Sequence, residues 1–454
     1  MRRVLLVVLV LSLLAGRADA SPFPAASVAA GPVWAGERVV WVERHGREHA
    51  VLVGDPATGA RRVVDRWRSR IARSSVTLAA SAETLAVVRV EGSCPPFYCR
   101  ESLYSTLVDQ LRVGPVDGPL TLAPPCEFGS SVVVTGRAYA LHCPGDGAEY
   151  GRIVIREEGT ERTAQLGDGM FAMAGRMLAA PVGSPAPGQR TGVRVIDRLS
   201  GEEVRRVAGS PWLFLAVDAD GSVAYTEQVG VRPDGTSIEH VVSAPAGEDP
   251  RPVSLPPGAL RLAGGRVASV GDYELDRKRR FAVADARSGA TLASTERWSA
   301  SAFDFDGRRL VWGEAPCGRT TIQVWQLGSP QPPALPRDCG RPRVHPFERW
   351  PPGRGRLRLS LSCPKRPAGG CGGTAAVFVS GVPHGQARRA DPVGRGEFDI
   401  AAGARGYADL DVGNFYRAPG HGFTRRHLRV EITAYGSRDT HVQRVPLTRR
   451  ANAR

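Results

Sequence analysis

Paired carboxylates are the residues of this sequence that could do chemistry. Asp218 with Asp220, and Asp304 with Asp306, have the spacing of calcium ligands or of the acid and base that cleave a glycosidic bond. Both pairs, however, sit beside a glycine at the same point of a repeated segment described below. We therefore interpret them as β-hairpin turn residues and predict neither a metal site nor a catalytic pair.

Glu43 and Glu314 form another possible acid pair, but they too occupy equivalent positions in two copies of the repeat, which favours a structural role. No Gly-x-Ser-x-Gly elbow and no α/β-hydrolase domain accompany them, so a prolyl-oligopeptidase-type hydrolase is excluded. The nine histidines include no HExxH motif. We expect no catalytic residue, no metal and no cofactor.

Eight cysteines fall into four consecutive pairs, which predict four short-range disulfides. A zinc site would require CxxC spacing or a nearby pair of histidines, and neither is present. The predicted bonds are Cys94–Cys99, Cys126–Cys143, Cys317–Cys339 and Cys363–Cys371.

The N-terminus has the three-part layout of a secretory signal peptide. Met1, Arg2 and Arg3 precede an apolar stretch from Val4 to Ala15, and a small-residue cleavage site ends at Ala20. We predict a signal peptide over residues 1–20 and a secreted, extracellular or envelope-associated protein with no transmembrane segment after cleavage.

The net charge of +15 is concentrated near the C-terminus, where residues 353–454 contain 18 Lys or Arg against 7 Asp or Glu. Arginine supplies 58 of the 60 basic residues, which is typical of coding bias. Such charge supports salt-sensitive binding to polyanions and no specific nucleic acid recognition. The basic pairs Arg388-Arg389, Arg425-Arg426 and Arg449-Arg450 are interpreted as solvated surface, with contact to an anionic polymer as the alternative.

A repeat organises residues 31–340. GERVVWVE from Gly36 and GRRLVWGE from Gly307 are in register over eight positions. Weaker copies start at Ala82, Gly136, Gly175, Gly221 and Gly265, giving seven units with a period of about 45 residues. That period in an all-β chain predicts propeller blades of four strands each. Trp41 and Trp312 are expected to pack between neighbouring blades.

Two kinds of turn recur within the units. Asp-Gly turns join first and second strands, because glycine adopts the positive φ that a tight hairpin requires. Asp-x-x-Thr/Ser-Gly turns close the third strand at Asp55–Gly59, Asp197–Gly201 and Asp285–Gly289. These turns resemble those of secreted TolB-like, WD40-like and quinoprotein-like propellers over residues 30–340. The resemblance implies the fold only, since the vicinal cysteines and tryptophan docking motif of quinoprotein dehydrogenases are not present.

The predicted architecture is all-β, a seven-bladed β-propeller followed by a small β-sandwich. The propeller is placed at residues 21–340, a Pro-rich linker at 341–352, the sandwich at 353–448 and a basic tail at 449–454. Alternating strands and the Cys363-Pro…Cys371-Gly-Gly loop are similar to C-terminal immunoglobulin-like domains of secreted actinobacterial proteins.

The loops between second and third strands vary most and contain unusual residues, so we predict that they form the binding face. The tentative ligand-binding residues are Phe97, Tyr98, Arg100, Tyr104, Tyr150 and Tyr273. A structural alternative is that Phe97 and Tyr98 pack against their own disulfide loop.

Three functions remain open from the sequence. We favour a monomeric, non-catalytic binding or scaffold protein whose partner is a protein or an envelope polysaccharide. The first alternative is a polysaccharide lyase or glycosidase that acts in the central depression of the propeller. The second is an accessory protein of an envelope assembly machine.

Overall fold

The computed structural model describes most of the chain, and only the described residues are discussed. They are residues 23–25, 27–45, 48–69, 74–91, 108–124, 131–143, 152–165, 170–183, 190–231, 237–272, 278–298, 300–315, 320–335, 340–345, 356–366, 370–379, 394–411, 427–434 and 440–446. This part of the chain forms strands and turns with no helix. None of it is therefore a helix long and apolar enough to cross a membrane.

Seven antiparallel sheets of four strands follow one another between residues 23 and 326. The first strand of the chain is β1 (Phe23–Pro24). Blade 1 contains β2 (Ser27–Ala35), β3 (Arg38–His45), β4 (Glu48–Gly54) and β5 (Arg61–Arg68). Blade 2 contains β6 (Ser74–Ala80), β7 (Thr84–Glu91), β8 (Val108–Pro115) and β9 (Thr121–Ala123). Blade 3 contains β10 (Val132–Thr135), β11 (Ala138–Cys143), β12 (Arg152–Glu157) and β13 (Thr160–Gln165).

The remaining blades repeat this plan. Blade 4 contains β14 (Ala172–Ala174), β15 (Met177–Gly183), β16 (Arg190–Asp197) and β17 (Glu203–Ala208). Blade 5 contains β18 (Pro211–Val217), β19 (Val223–Val231), β20 (Ser237–Ala244) and β21 (Arg251–Val253). Blade 6 contains β22 (Gly258–Ala263), β23 (Arg266–Asp272), β24 (Lys278–Asp285) and β25 (Thr291–Trp298). Blade 7 contains β26 (Ala300–Phe305), β27 (Arg309–Glu314), β28 (Thr321–Gln326) and β1.

The first strands of consecutive blades lie beside one another in a closed ring, with β26 of the last blade against β2 of the first. Residues 23–326 therefore form a seven-bladed β-propeller, as the repeat predicts. Apolar side chains fill the space between blades because each radial sheet packs both of its faces on a neighbour.

The two tryptophans of the repeat lie in equivalent interfaces, which confirms their predicted packing role. Trp41 is fully buried between blades 1 and 7, with its ring centroid 5.4 Å from that of Phe23. Trp312 is fully buried between blades 7 and 6, again 5.4 Å from a phenylalanine ring, that of Phe281.

The N-terminal segment closes the ring, a feature that the sequence analysis missed. The repeat predicts four strands within each unit, whereas β1 takes the fourth position of blade 7 by pairing Phe23 with Ile322 and Pro24 with Thr321. Residues 327–335 form no strand and instead contact blade 6, where Gln331 donates a hydrogen bond to the carbonyl of Ser294 at 2.9 Å.

The C-terminal part is a seven-stranded antiparallel arrangement. Its strands are β29 (Arg343–Val344), β30 (Arg356–Ser362), β31 (Cys371–Val379), β32 (Gly394–Ile400), β33 (Arg405–Asp411), β34 (His427–Ala434) and β35 (Thr440–Pro446). The order is β29-β30-β33-β32-β31-β34-β35, and a single residue pair, Arg395 with Asp411, joins β32 to β33. This pair divides the strands into two groups, β29-β30-β33 and β32-β31-β34-β35. Side chains from both groups form one core that includes Leu359, Val377 and Val430.

Arg343 and Val344, which fall within the predicted linker, form the short strand β29. Val344 is buried in the C-terminal core, since its pairing with Leu361 places both side chains on the inner face. One predicted disulfide is confirmed in the same region, where Cys363 and Cys371 are bonded across the β30–β31 connection.

Candidate functional site

The propeller has two faces with different kinds of connection. The turn face holds the turns between first and second strands and between third and fourth strands. The loop face holds the loops between second and third strands and the connections between blades. The six residues predicted to bind a ligand lie outside the described residues: Phe97, Tyr98, Arg100, Tyr104, Tyr150 and Tyr273. Their role stays a prediction.

The three Asp-x-x-Thr/Ser-Gly turns lie on the turn face with the predicted geometry. Asp55 accepts hydrogen bonds from the Thr58 hydroxyl and the Ala57 amide, both at 2.9 Å, and Gly59 has a φ of 71°. Asp197 and Asp285 accept from turn amides in the same way. Hydrogen bonding to these donors lowers the pKa of all three carboxyls.

Hydrogen bonds and ion pairs on or beside the turn face connect every blade to the next. Each junction between neighbouring blades has at least one such contact. In blade order, starting from the junction of blades 1 and 2, the contacts are Arg38–Asp117, Ser81–Gly136, Thr135–Gly175, Arg205–Ala244, Asp218–Gly265, Arg266–Gly307 and, between blades 7 and 1, Arg309–Gly36. These polar groups therefore hold the ring together, as the structural interpretation of Asp218 predicts.

Asp304 differs from its predicted role as a turn residue. It lies in the innermost strand β26, where its carboxylate accepts from the Trp34 amide at 2.8 Å and from Arg261 Nε at 2.6 Å. These contacts reach blades 1 and 6 from blade 7. Asp306 is the true turn residue, accepting from the amides of Arg308 and Arg309.

Glu43 and Glu314 are buried near the loop face and serve structure. Glu43 accepts a hydrogen bond from Trp41 Nε1 at 3.0 Å. Glu314 lies 4.0 Å from Arg297 Nε, and the Arg297 guanidinium lies 5.7 Å from the centroid of the Trp312 ring. Burial lowers the pKa of Arg297. Glu314 therefore connects blade 7 to blade 6, whereas Glu43 supports the interface residue Trp41 from within blade 1.

The described part of the loop face contains one concentration of exposed apolar side chains, at the end of blade 5. It is formed by Trp212, Leu213, Val229, Val231 and Ile238, which we call the blade-5 rim. Their exposed fractions run from 38% to 58%. Of the twelve large apolar side chains that are exposed among the described residues, these five come from the loop-face end of blade 5, where the register places Val231 and Ile238 on opposite faces of the β19–β20 pair. Exposed apolar side chains gathered at one end of a blade are a feature of interaction surfaces.

A bulge in the innermost strand presents Trp212 and Leu213. Pro211 pairs with Glu227 and Leu215 with Tyr225, so residues 212–214 stand opposite Thr226 alone. The buried Thr226 hydroxyl accepts from the amides of Leu213 and Phe214 at 3.2 and 3.1 Å. These bonds replace the lost ladder bonds and hold the bulge in place.

The β19–β20 hairpin presents the other three side chains. Its paired residues Val223 to Thr226 are buried, whereas beyond Gln228 the register shifts and the side chains become exposed. Val229 lies at this irregularity, and Gly230 pairs with Ile238. The end of the hairpin therefore extends past the core between blades.

Acidic groups border the rim. His240 Nε2 lies 3.0 Å from Glu227 Oε2, and the other carboxylate oxygen of Glu227 accepts from the Ser210 amide at 2.8 Å. Glu239 follows Ile238, and burial raises the pKa of its carboxyl. The Glu227–His240 pair and the bulge hydrogen bonds are local contacts that support the rim.

The described residues contain no group of three His, Cys, Asp or Glu side chains placed to hold a metal ion. Cys143 is disulfide-bonded, and its partner falls in a part of the chain that is not described. The predicted bonds Cys94–Cys99, Cys126–Cys143 and Cys317–Cys339 stay predictions.

Known proteins resemble this chain in structure at low sequence identity. No protein-family model and no curated protein matches the sequence. A chain of hydrazine synthase from Kuenenia stuttgartiensis is 15% identical, with 69% of this chain and 99% of that one covered and a TM-score of 0.43. The β-propeller domain of the trilobed protease from Pyrococcus furiosus is 12% identical, with 69% and 99% covered and a TM-score of 0.43. BamB from Moraxella catarrhalis is 15% identical, with 68% and 92% covered and a TM-score of 0.37.

Sequence reasoning missed the blade-5 rim because the local signal indicates burial. The segment Pro211-Trp-Leu-Phe-Leu215 is apolar without alternation and forms the innermost strand of its blade. An uninterrupted apolar run predicts a strand buried on both sides. Only the bulge against Thr226 brings Trp212 and Leu213 to the surface.

Proposed function

We propose that this protein is a non-catalytic binding protein whose propeller holds a protein partner at the blade-5 rim. The observation that supports this most strongly is the gathering of five exposed apolar side chains on a rim fixed by hydrogen bonds. Covering such side chains is favourable by about 25 cal/mol for each Å² removed from water.

The chemistry of the rim favours a peptide segment with aliphatic and basic side chains. Four of the five rim residues are aliphatic, and sugar rings gain little from Val or Ile compared with aromatic faces. Glu227 and Glu239 border the rim. A Lys or Arg of the partner would pair with these carboxylates, and the raised pKa of Glu239 makes a nearby cation especially favourable to its ionised form.

The proposal retains secretion, an envelope or extracellular location and a monomeric state, all three from the sequence. It also assigns the C-terminal part to an immunoglobulin-like sandwich. The strand order supports this, because the groups β29-β30-β33 and β32-β31-β34-β35 correspond to the A-B-E and C′-C-F-G sheets of switched-type immunoglobulin-like domains.

Selection from a displayed library of random dodecamer peptides on the full chain tests the rim. We expect enriched peptides that combine aliphatic residues with Lys or Arg. The variant V229T/V231T should weaken their binding about tenfold, because two buried methyl contacts are replaced by hydroxyls. V63T/V204T is the matched control, since Val63 and Val204 are exposed valines on other blades.

Several outcomes would overturn the assignment of the rim. If the selected peptides bind V229T/V231T with the same affinity as the parent chain, the blade-5 rim is not part of the interface. Glycan binding without peptide binding would favour the polysaccharide partner, and depolymerase activity on envelope polysaccharides would favour an enzyme. The variant F97S/Y98S should also weaken binding with a nearly unchanged melting temperature, if both residues join the same loop-face surface.

A further inference from the structure

A second surface, on the C-terminal sheet, is strongly basic in the described residues. The outer face of β29, β30 and β33 is opposite the core that contains Val344, Leu361 and Ala408. Arg343 and Arg405 both pair with Ser362 in the strand register, so their side chains lie on this outer face. Two strand spacings separate them by about 10 Å, and both are exposed.

Two more cations stand at the same end of this face. Gly403 donates a hydrogen bond to the carbonyl of Pro364 at 3.0 Å, which places the turn with Lys365 and Arg366 beside the start of β33. Lys365 and Arg366 are both exposed. Four cations therefore lie at one end of the face, and none of the described side chains on it is acidic.

The four exposed cations are an attractive site for a chain of negative charges, because an arginine fork binds carboxylate or phosphate oxygens in pairs.

Polar and aromatic groups beside the cations narrow the class of ligand. Ser360 pairs with Tyr407 next to the arginines, and Tyr407 is 55% exposed. His345 Nε2 lies 2.8 Å from the Ser362 hydroxyl. Hydroxyl groups and one aromatic ring suit a sugar ring, which stacks on one face and hydrogen-bonds at its edge. Single-stranded nucleic acids instead favour several aromatic rings for successive bases.

We propose that this basic sheet face binds an acidic polysaccharide, with Arg343, Arg405, Lys365 and Arg366 on its anionic groups and Tyr407 against a sugar ring. This inference goes beyond the protein partner at the blade-5 rim and does not depend on it. It assigns a separate role to the part of the chain that holds most of the net charge.

Titration calorimetry of the full chain with polygalacturonate at low ionic strength tests the proposal. R343Q/R405Q should lower the affinity about tenfold, the scale of two exposed ion pairs, and make the salt dependence shallower. R66Q/R308Q removes two exposed arginines from the propeller and should leave the affinity unchanged. Y407A should weaken binding severalfold without altering the salt dependence.

Other results would contradict the proposed polysaccharide site. Absence of binding to polygalacturonate, or an equal loss in R66Q/R308Q, would overturn the site. Preferential binding of oligothymidylate, weakened by Y407A, would assign the face to nucleic acid instead. The melting midpoint of each variant checks its folding, and if R343Q/R405Q is unfolded, the single variants R343Q and R405Q replace it in the same comparison.

Discussion

At the residue scale, aspartate has the same hydrogen-bonding role in three turns of the propeller and a different role in a strand. Asp55, Asp197 and Asp285 each satisfy turn amides, so a local five-residue pattern determines their role. Asp304 instead accepts from Trp34 and Arg261, residues distant in sequence. Local hydrogen bonding is predictable from spacing, and contacts across blades are not.

The turn aspartates make stability depend on acid pH. Their pKa values are lowered in the folded protein, so the unfolded chain binds more protons as the pH falls below about 4. The stability that they add is present above the unfolded pKa and is lost as pH falls through the folded values. D55N/D197N/D285N should therefore flatten the decline of the urea unfolding midpoint between about pH 5 and 2.

The exposed Asp249 provides the control for that experiment. D249N should retain the acid decline of the parent chain, because Asp249 is not in one of the three turns. An unchanged pH profile in the triple variant would show that other carboxylates dominate acid unfolding.

At the element scale, two residues of β1 close a ring of seven sheets. Phe23 is buried against Trp41 and pairs with Ile322, and Ala25 donates to the carbonyl of Thr320 at 2.8 Å. An edge strand this short depends on its side chain for stability, since few backbone bonds hold it. Phe23 is therefore the anchor of the closure.

Replacing Phe23 by alanine should open the closure locally. We expect F23A to lower the free energy of unfolding by about 3–5 kcal/mol, the range for a buried phenylalanine. Hydrogen exchange of the β28 amides should accelerate in F23A. F171A removes a phenylalanine buried between blades 3 and 4 and should leave exchange in β28 unchanged. Equal acceleration in both variants would contradict a specific closing role.

At the scale of the whole molecule, the described residues form separate apolar cores. One cluster contains only residues 344–432, and the others contain only residues 23–327. Within the propeller, strands such as β3 and β7 contribute side chains to two clusters each, whereas no strand contributes both to the C-terminal cluster and to another. We therefore expect two transitions in calorimetry.

The confirmed disulfide should affect one of those transitions. Cys363–Cys371 closes a loop with a sequence separation of 8, and loop entropy gives a stabilisation of about 2.5 kcal/mol. C363A/C371A should therefore lower the midpoint of the C-terminal transition and leave the propeller transition in place. A shift of both transitions by the same amount would show that the two parts unfold as one.

The class, the number and the local turns of the sheets follow from the sequence alone. A period of about 45 residues, with glycine at six of the seven hairpins, predicts seven similar units because every unit repeats the same short-range interactions. The Asp-x-x-Thr/Ser-Gly turns and the Cys363–Cys371 bond were predictable for the same reason, since their partners are close in the chain.

Only the tertiary structure decided how the ring closes, which strand Arg343 and Val344 join, and where the apolar surface lies. Phe23 pairs with Ile322, which lies almost the whole propeller sequence away, and no local pattern encodes that pairing. The sequence pattern predicts that Trp212 and Leu213 are core residues. They are exposed because the Thr226 hydroxyl accepts hydrogen bonds from the Leu213 and Phe214 amides in place of the regular strand pairing. These outcomes depend on contacts between distant segments, which periodicity and composition do not specify.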